Sequence, residues 1–307
     1  MLGVLLQMFA LIGVGLLWSW WQPGRLETEA SRKVLVGSVY YLFLPALVLV
    51  VLWRAPLGVD TVKIVLAAAG GVLGALAVSF LACRVCRADP RTAGAMILAA
   101  SWPNATYLGL PVLENTLGAW ARTVAIQYDL FACTPLLLSV GILIASAHGA
   151  GGRRENPLKV LFTVPPFWAA LAALAFNLGG VPVPEWIDGF LRLMGAAVVP
   201  LMLVSVGMAL RQGFGQLRHL PLVIPVAVIQ LFVMPLIVFG AATALGLAGE
   251  MRIAVVLEAA MPSMVLGIVL ADRYGLNAGV YAAALTTTTL LSLFTLPLWF
   301  DWAGGPG

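Results

Sequence analysis

Long apolar runs recur along this chain and constrain its fold more than any other feature. Each is about 20 residues long, the length that an α-helix needs to cross the roughly 30 Å hydrocarbon core of a bilayer. The ten runs are 2–21, 34–53, 62–82, 92–117, 122–147, 158–178, 187–210, 220–247, 251–271 and 280–302. Because only 10% of the 307 residues are charged, the chain cannot cover a soluble globule with polar side chains. The sequence therefore predicts an all-α integral membrane protein with about ten spans.

The distribution of positive charge predicts how these spans are oriented. If the N-terminus lies outside, twelve Lys and Arg residues fall in inner loops and four in outer loops, with Arg192 inside a span. Cytoplasmic loops are enriched in Lys and Arg. We therefore expect both termini outside the cytoplasm and a cytoplasmic central loop.

Charge and titratable residues also exclude several classes of function. The net charge of +4 is small and spread over short loops, so no basic face for nucleic acid is present. Both histidines, His148 and His219, lie in predicted loops, whereas an intramembrane enzyme needs clustered His, Asp or Cys within its spans. Cys83 and Cys86 have no second ligand pair for zinc. We expect neither an enzyme nor a bound cofactor.

The two halves of the chain resemble one another. Prolines recur at offsets of 155, 159 and 162 residues, in the pairs Pro45 and Pro200, Pro103 and Pro262, and Pro135 and Pro297. Five spans per half is an odd number, so the second copy is expected to be inverted across the membrane, as in many secondary transporters. The predicted units are a first five-helix repeat at 1–147, a cytoplasmic linker at 148–157 and a second repeat at 158–307.

Two equivalent prolines, Pro103 and Pro262, lie in the middle of the fourth span of each half. Proline removes a backbone donor and clashes with the preceding turn, so a helix kinks or breaks there. The polar residues near these prolines are Ser101, Asn104 and Thr106 in the first half and Glu258 and Ser263 in the second. The pattern predicts broken, crossing helices 4 and 9, and structural kinks are the alternative interpretation.

A break of this kind offers ligands for both signs of charge. The N-termini of half-helices carry partial positive charge and free N–H groups, which suit a carboxylate. Freed carbonyls and side-chain oxygens suit a cation. The predicted substrate-binding residues are Ser101, Pro103, Asn104, Thr106, Pro262 and Ser263.

Glu258 is the acidic residue that this pattern places nearest the bilayer centre. A charge at this depth costs at least about 2.5–3.5 kcal/mol on insertion scales. We expect Glu258 to bind a coupling cation, either H⁺ or Na⁺. Na⁺ would also be bound by the oxygens of Asn104 and Thr106. The alternative is a protonated glutamate with a purely structural role. Asp129 is expected to be a second titrating group or a partner of Arg122. No other metal site is predicted.

Two segments resemble the auxin efflux carrier family. The stretch WPNATYLGLPVLENTLG at 102–118 is similar to its first crossover, where plant members carry an L-P-N-T…G-I-P-L pattern. The stretch beginning AAMPSMVLGI at 259 is similar to its second crossover and last helix. The short central loop resembles a bacterial member.

This resemblance implies the fold of the bile acid–sodium symporter superfamily. Spans 1, 2, 6 and 7 would form a scaffold, while spans 3–5 and 8–10 would form a transport domain that moves by an elevator mechanism. Asn104 falls on the family's crossover Asn, which implies a role near the substrate carboxylate. Glu258 resembles a Na⁺-ligating Glu of the symporters, although Pro262 stands where those proteins have an amide ligand.

The resemblance also implies a function. The expected protein is a transporter of a small organic anion, such as malonate, malate or an auxin-like monocarboxylate, in the bacterial inner membrane. A sensor or channel-like module on the same fold is the alternative. Besides lipid and substrate, the resemblance leaves open a second copy of the chain as a partner, in a homodimer. The anion, the direction of transport, the coupling ion and the oligomeric state stay open.

Overall fold

A computed structural model of the chain describes residues 2–149, 162 and 164–304, and the regular structure of these residues is helical. The helices are α1 Leu2–Trp21, α2 Thr28–Trp53, α3 Val59–Val85, α4 Pro90–Ser101, α5 Leu110–Leu117, α6 Ala121–His148, α7 Pro165–Leu178, α8 Glu185–Phe214, α9 Leu220–Ala244, α10 Gly249–Ala259, α11 Leu266–Tyr274 and α12 Ala278–Trp302. The β-type pairing found within the described residues is one isolated bridge, between Pro103 and Ser263.

Six of the described helices are long and apolar enough to cross a membrane, namely α2, α3, α6, α8, α9 and α12. Two further apolar helices are shorter, at Leu6–Trp21 and Pro165–Leu178. The predicted spans 92–117 and 251–271 are each divided into two shorter helices, α4 with α5 and α10 with α11. The chain is thus a multi-pass helical membrane protein, and ten complete spans in an inverted repeat stay a prediction.

The beginning of the sixth apolar segment differs from the prediction. A continuous helix from 158 was expected, but Phe162 lies in a turn, Val164 is extended and α7 begins at Pro165. Pro165 and Pro166 occupy the first helical positions, where a missing N–H costs nothing. Most of the predicted linker at 148–157 lies outside the described residues.

The helices pack in two groups. In one group α1 lies along α8, and α2 lies against α7 and α8. In the other, α3 packs on α4 and α9, α10 packs on α6 and α9, and α12 packs on α4 and α9. The contact of α8 with α12 joins the two groups.

Two glycines allow α1 and α8 to approach closely. A Cβ on Gly15 of α1 would overlap the Val204 carbonyl oxygen, and one on Gly207 of α8 would overlap the Ile12 carbonyl oxygen. Small residues permit this backbone contact between transmembrane helices, where no hydrophobic effect drives association.

Gly15→Ala should therefore destabilise the protein by about 1–3 kcal/mol, because the added methyl group forces the two backbones apart. Thermal unfolding in detergent measures this. Gly13→Ala is the matched control, since no atom of the described residues lies within 4 Å of a Cβ at Gly13. An equal melting temperature for both variants would contradict the close packing.

Widened helical turns precede several of the intramembrane prolines. They lie at Val39–Phe43 before Pro45, Ala105–Gly109 before Pro111, Asp129–Cys133 before Pro135 and Ile229–Val233 before Pro235. At the end of each turn an N–H bonds to the carbonyl five residues back, as Thr134 does to Asp129. Proline clashes with the carbonyl four residues back, and the wider turn relieves this clash. Two of these turns carry Thr106 and Asp129.

Candidate functional site

The helix breaks at Pro103 and Pro262 separate α4 from α5 and α10 from α11. Trp102, directly after α4, is extended with φ −123° and ψ 112°. The first backbone hydrogen bonds of the following turn are donated by Leu108 and Gly109 to the Asn104 carbonyl. Residues 102–104 are therefore non-helical in the middle of a buried apolar segment.

The two breaks lie against each other and pair as a short antiparallel bridge. The Asn104 N–H donates to the Pro262 carbonyl at 2.8 Å, and the Met264 N–H donates to the Trp102 carbonyl at 3.1 Å. Backbone groups released from a helix need partners where water is excluded, and each break supplies them to the other. The structure thus brings together Pro103, Asn104, Pro262 and Ser263. We call this region the crossing.

Polar side chains from neighbouring helices hold the crossing. The Ser263 hydroxyl donates to the Ala99 carbonyl at 2.6 Å, and the Ser263 N–H donates to the Thr288 hydroxyl at 3.1 Å. The hydroxyls of Ser101 and Ser79 are 3.3 Å apart. The predicted residues Ser101 and Ser263 therefore already have partners inside the protein.

Sequence reasoning did not place Gln230 at the crossing. Its Nε2 donates to the Met261 carbonyl at 2.9 Å and lies 3.4 Å from the Ala259 carbonyl, at the C-terminal end of α10. A lone amide in the apolar run 220–247 was the available signal, but such amides more often join helices at any depth.

Gln230→Leu should lower the stability of the protein by about 1–3 kcal/mol, because buried carbonyls at the end of α10 lose their donor. The melting temperature in detergent reports this loss. Gln7→Leu is the control, since Gln7 lies exposed on the surface of α1. A melting temperature that falls equally in both variants would contradict a specific role for Gln230.

The two interrupted segments are also joined at their loop end. The Asn277 N–H donates to the Arg91 carbonyl at 3.1 Å, and the Asn277 side chain donates to the Thr92 hydroxyl at 2.9 Å. Asp89 caps α4 by accepting from the Thr92 N–H at 3.2 Å. Hydrogen bonding from Thr92 lowers the pKa of Asp89 below its ordinary value, so the cap is ionised at neutral pH.

Two acidic residues lie beside the crossing. Glu258 is 0% exposed and its carboxylate lies against Gly109, where a Cβ would overlap it. Both Glu258 oxygens lack a hydrogen-bond partner among the described residues. Asp129 accepts hydrogen bonds from the hydroxyls of Thr106 and, at 3.0 Å, Thr134. Asp129 is thus stabilised by two hydroxyl donors, whereas Glu258 has no donor among the described residues.

The predicted alternative of an Asp129–Arg122 pair is wrong. Arg122 forms an ion pair with Glu114 instead. Seven residues of helix separate Arg122 from Asp129, about 10.5 Å along the axis, whereas the end of α5 brings Glu114 directly to Arg122. Glu114 therefore has a defined partner.

Three buried donors near the crossing lack hydrogen-bond partners among the described residues: Asn104 Nδ2, Gln127 Nε2 and the Tyr128 hydroxyl. Asn104 is 3% exposed. Most buried polar groups in proteins are satisfied, so unpartnered donors beside an unpartnered carboxylate mark a candidate binding site. Donors of this kind suit an anion, and the carboxylates suit a cation. Within the described residues no cluster of three or more His, Cys, Asp or Glu is present.

A cleft of about 1040 Å³ extends from the loops at 54–58 and 118–120 and the first turns of α3 and α6 down to Leu110 and Gln127. It lies between α2 and α8 on one side and α3, α5 and α6 on the other. Leu110 lines the cleft and directly follows Gly109, which touches Glu258, so the cleft reaches the end of the turn that follows the first break.

A multi-pass helical protein with two broken helices that bridge each other in its interior has the features of a membrane transport protein. The family described as membrane transport protein matches residues 1–300. The chain belongs to this family, the auxin efflux carrier family, which confirms the resemblance inferred from the two crossover motifs. It is a transport family, and the protein is not an enzyme.

Several relatives cover most of the chain. An uncharacterized transporter of Methanothermobacter thermautotrophicus is 31% identical over 88% of this chain and 89% of its own length. An uncharacterized transporter of Methanocaldococcus jannaschii is 26% identical over 67% of each chain. The uncharacterized transporter YfdV of Escherichia coli is 24% identical over 90% of each chain.

Proposed function

We propose that this protein is a secondary transporter of a small organic anion, and that the anion binds at the crossing. The backbone bridge between residues 102–104 and 262–264 carries this proposal. It holds two half-helix N-termini together inside the protein, where donors to an anion are not weakened by water.

The donors available to a carboxylate are of two kinds. Asn104 contributes a buried side-chain N–H group without a partner among the described residues. The N–H groups at 105–107 and 265–267 precede the first hydrogen bonds of their half-helices, which are donated by Leu108 and Ile268. Thr106 and Pro103 lie at the same break, and the second break contributes Pro262 and Ser263.

Coupling is assigned to Glu258, with Asp129 as a second acid. Burial of an ionised carboxylate without a partner is expensive, so Glu258 favours either a proton or a bound Na⁺. The Thr106 hydroxyl donates to Asp129, so the substrate-binding turn is linked to that acid. The oxygens of Asn104 and Thr106 are the further Na⁺ ligands in this scheme.

The proposed movement is an elevator motion between the two groups of helices. In terms of ten spans, spans 1, 2, 6 and 7 correspond to α1, α2, α7 and α8, and the remaining helices form the transport domain. The packing of α1 on α8 and of α2 on α7 supports this division, as does a cleft between the groups. We propose two inverted repeats, 1–147 and 158–307, in a bacterial inner membrane with both termini outside.

A membrane sensor or channel-like module is the second candidate function. Saturating flux of a carboxylate into proteoliposomes would distinguish a carrier from a sensor, which gives no flux, and from a channel, whose flux does not saturate. We expect a thermal-shift screen of malonate, malate and indole-3-acetate, with Na⁺ and pH varied, to reveal a stabilising anion that is then transported. Binding without saturable flux would contradict the carrier and favour the sensor; non-saturating flux would favour the channel.

A further inference from the structure

The cleft beside the crossing has two chemically different walls. On one wall lie Leu47 and Val50 of α2 and Val199 of α8, and we call it the apolar wall, although Arg54 and Arg192 lie on the same side. The opposite wall, on α6, carries Arg122 and Gln127. A ligand in this cleft therefore meets apolar side chains on one side and the donors of Arg122 and Gln127 on the other, where the carboxylates Asp60 and Glu114 also line the cleft.

Gln127 lies at the inner end of this cleft and is 2% exposed. Its Nε2 has no hydrogen-bond partner among the described residues. An amide donor buried without a partner is unfavourable. An unpartnered donor on a residue that lines a cleft marks a candidate ligand contact.

Arg122 lies five residues before Gln127 on the same helix. Its Nη2 pairs with Glu114, while its Nε is buried and unpartnered within the described part of the chain. A guanidinium group has five N–H donors, so one ion pair leaves donors for a second anion. Arg192 also lines the cleft, but its Nε donates to Asp188 at 2.8 Å.

The α6 wall is directly connected to the crossing. Gln127 is followed by Tyr128 and Asp129, and Asp129 accepts a hydrogen bond from Thr106 at the first break. Leu110, which follows Gly109 in the chain, lines the cleft. The α6 wall and the first break are thus linked through Asp129 and through the turn at 105–109.

We propose that Arg122 and Gln127 form a second carboxylate subsite, which an anion occupies before it reaches the crossing. The Gln127 amide and the Arg122 guanidinium donate to the carboxylate oxygens, a strong charge-assisted arrangement. The hydrocarbon part of the anion lies along the apolar wall. This inference rests on the proposed transport of organic anions.

Gln127→Leu tests the subsite because it removes the donor at nearly constant volume. In proteoliposomes given malonate or phenylacetate, we expect its half-saturating concentration to rise at least about tenfold while its maximal rate stays within about twofold of wild type. Gln127→Glu should raise the half-saturating concentration further, since the negative charge of the new glutamate repels the carboxylate of the substrate. Arg192→Gln is the matched control in the same cleft and should behave as wild type.

Two results would overturn the subsite. One is a wild-type half-saturating concentration in both Gln127 variants. The other is a fall in the maximal rate alone, which would indicate a structural role for Gln127. Titration calorimetry in detergent measures anion binding without flux, so it distinguishes failure of the subsite from failure of the transport proposal. Binding of malonate or phenylacetate that depends on Gln127, without flux, would keep the subsite and refute the carrier. No binding of either anion to wild type would overturn both.

Discussion

Asn104→Ala should weaken binding and transport of the carboxylate by about 10- to 150-fold. This range corresponds to loss of one hydrogen bond to a charged group, about 1.5–3 kcal/mol. The Asn104 Nδ2 is buried and has no hydrogen-bond partner among the described residues, so the substitution removes a donor without breaking a hydrogen bond that this donor makes inside the described protein. The backbone bond from Asn104 to Pro262 is retained because it does not involve the side chain.

The measurements are ligand-induced thermal stabilisation in detergent and initial uptake rates in proteoliposomes. Asn104→Asp is an informative companion, because it conserves size but replaces the donor with a negative charge, and it should lose at least as much affinity. The ligand-free melting temperature controls for folding. Wild-type affinity in Asn104→Ala would refute the assignment of the anion to the crossing.

Glu258→Gln should abolish coupling of transport to the cation gradient. A single coupled proton changes the accumulation ratio of the anion by about tenfold for each pH unit across the membrane, since one unit corresponds to 1.36 kcal/mol. Glutamine resembles the protonated acid but cannot release a proton or neutralise Na⁺. We therefore expect exchange of internal for external anion to continue, while accumulation driven by a pH or Na⁺ gradient is lost.

Uptake at fixed membrane potential, with the pH and Na⁺ gradients varied separately, identifies the coupling ion. Glu250→Gln is the matched control because Glu250 lies on the same helix, eight residues earlier, and is exposed. Unchanged pH and Na⁺ dependence in Glu258→Gln would exclude the coupling role.

The helix breaks were predictable because proline acts on its own turn. Pro103 and Pro262 disrupt local hydrogen bonds whatever surrounds them, and the polar residues beside them stood out in apolar runs. Asn104 and Glu258 were identified in this way, and the structure buries both. The apolar runs likewise predicted the six long helices. The beginning of α7 was not predicted, because Pro165 and Pro166 start the helix inside the apolar run 158–178.

Partners across the fold were not predictable from local pattern. The choice of Gln230 to hold the end of α10, of Thr288 to hold Ser263, and of Glu114 to pair with Arg122 depends on which helices become neighbours. The contact of Gly109 with Glu258 is of the same kind. Sequence separation contains no information about these distances.

By itself, the sequence determined that this chain is a multi-pass helical membrane protein with two interrupted helices, since hydropathy and proline geometry act within a single helix. The tertiary structure decided that the two interruptions bridge each other, that Asp129 bonds to Thr106 rather than Arg122, and that a cleft reaches Gln127. The physical reason is that unpaired polar groups in an apolar interior must find partners, and packing alone determines which partners lie within reach.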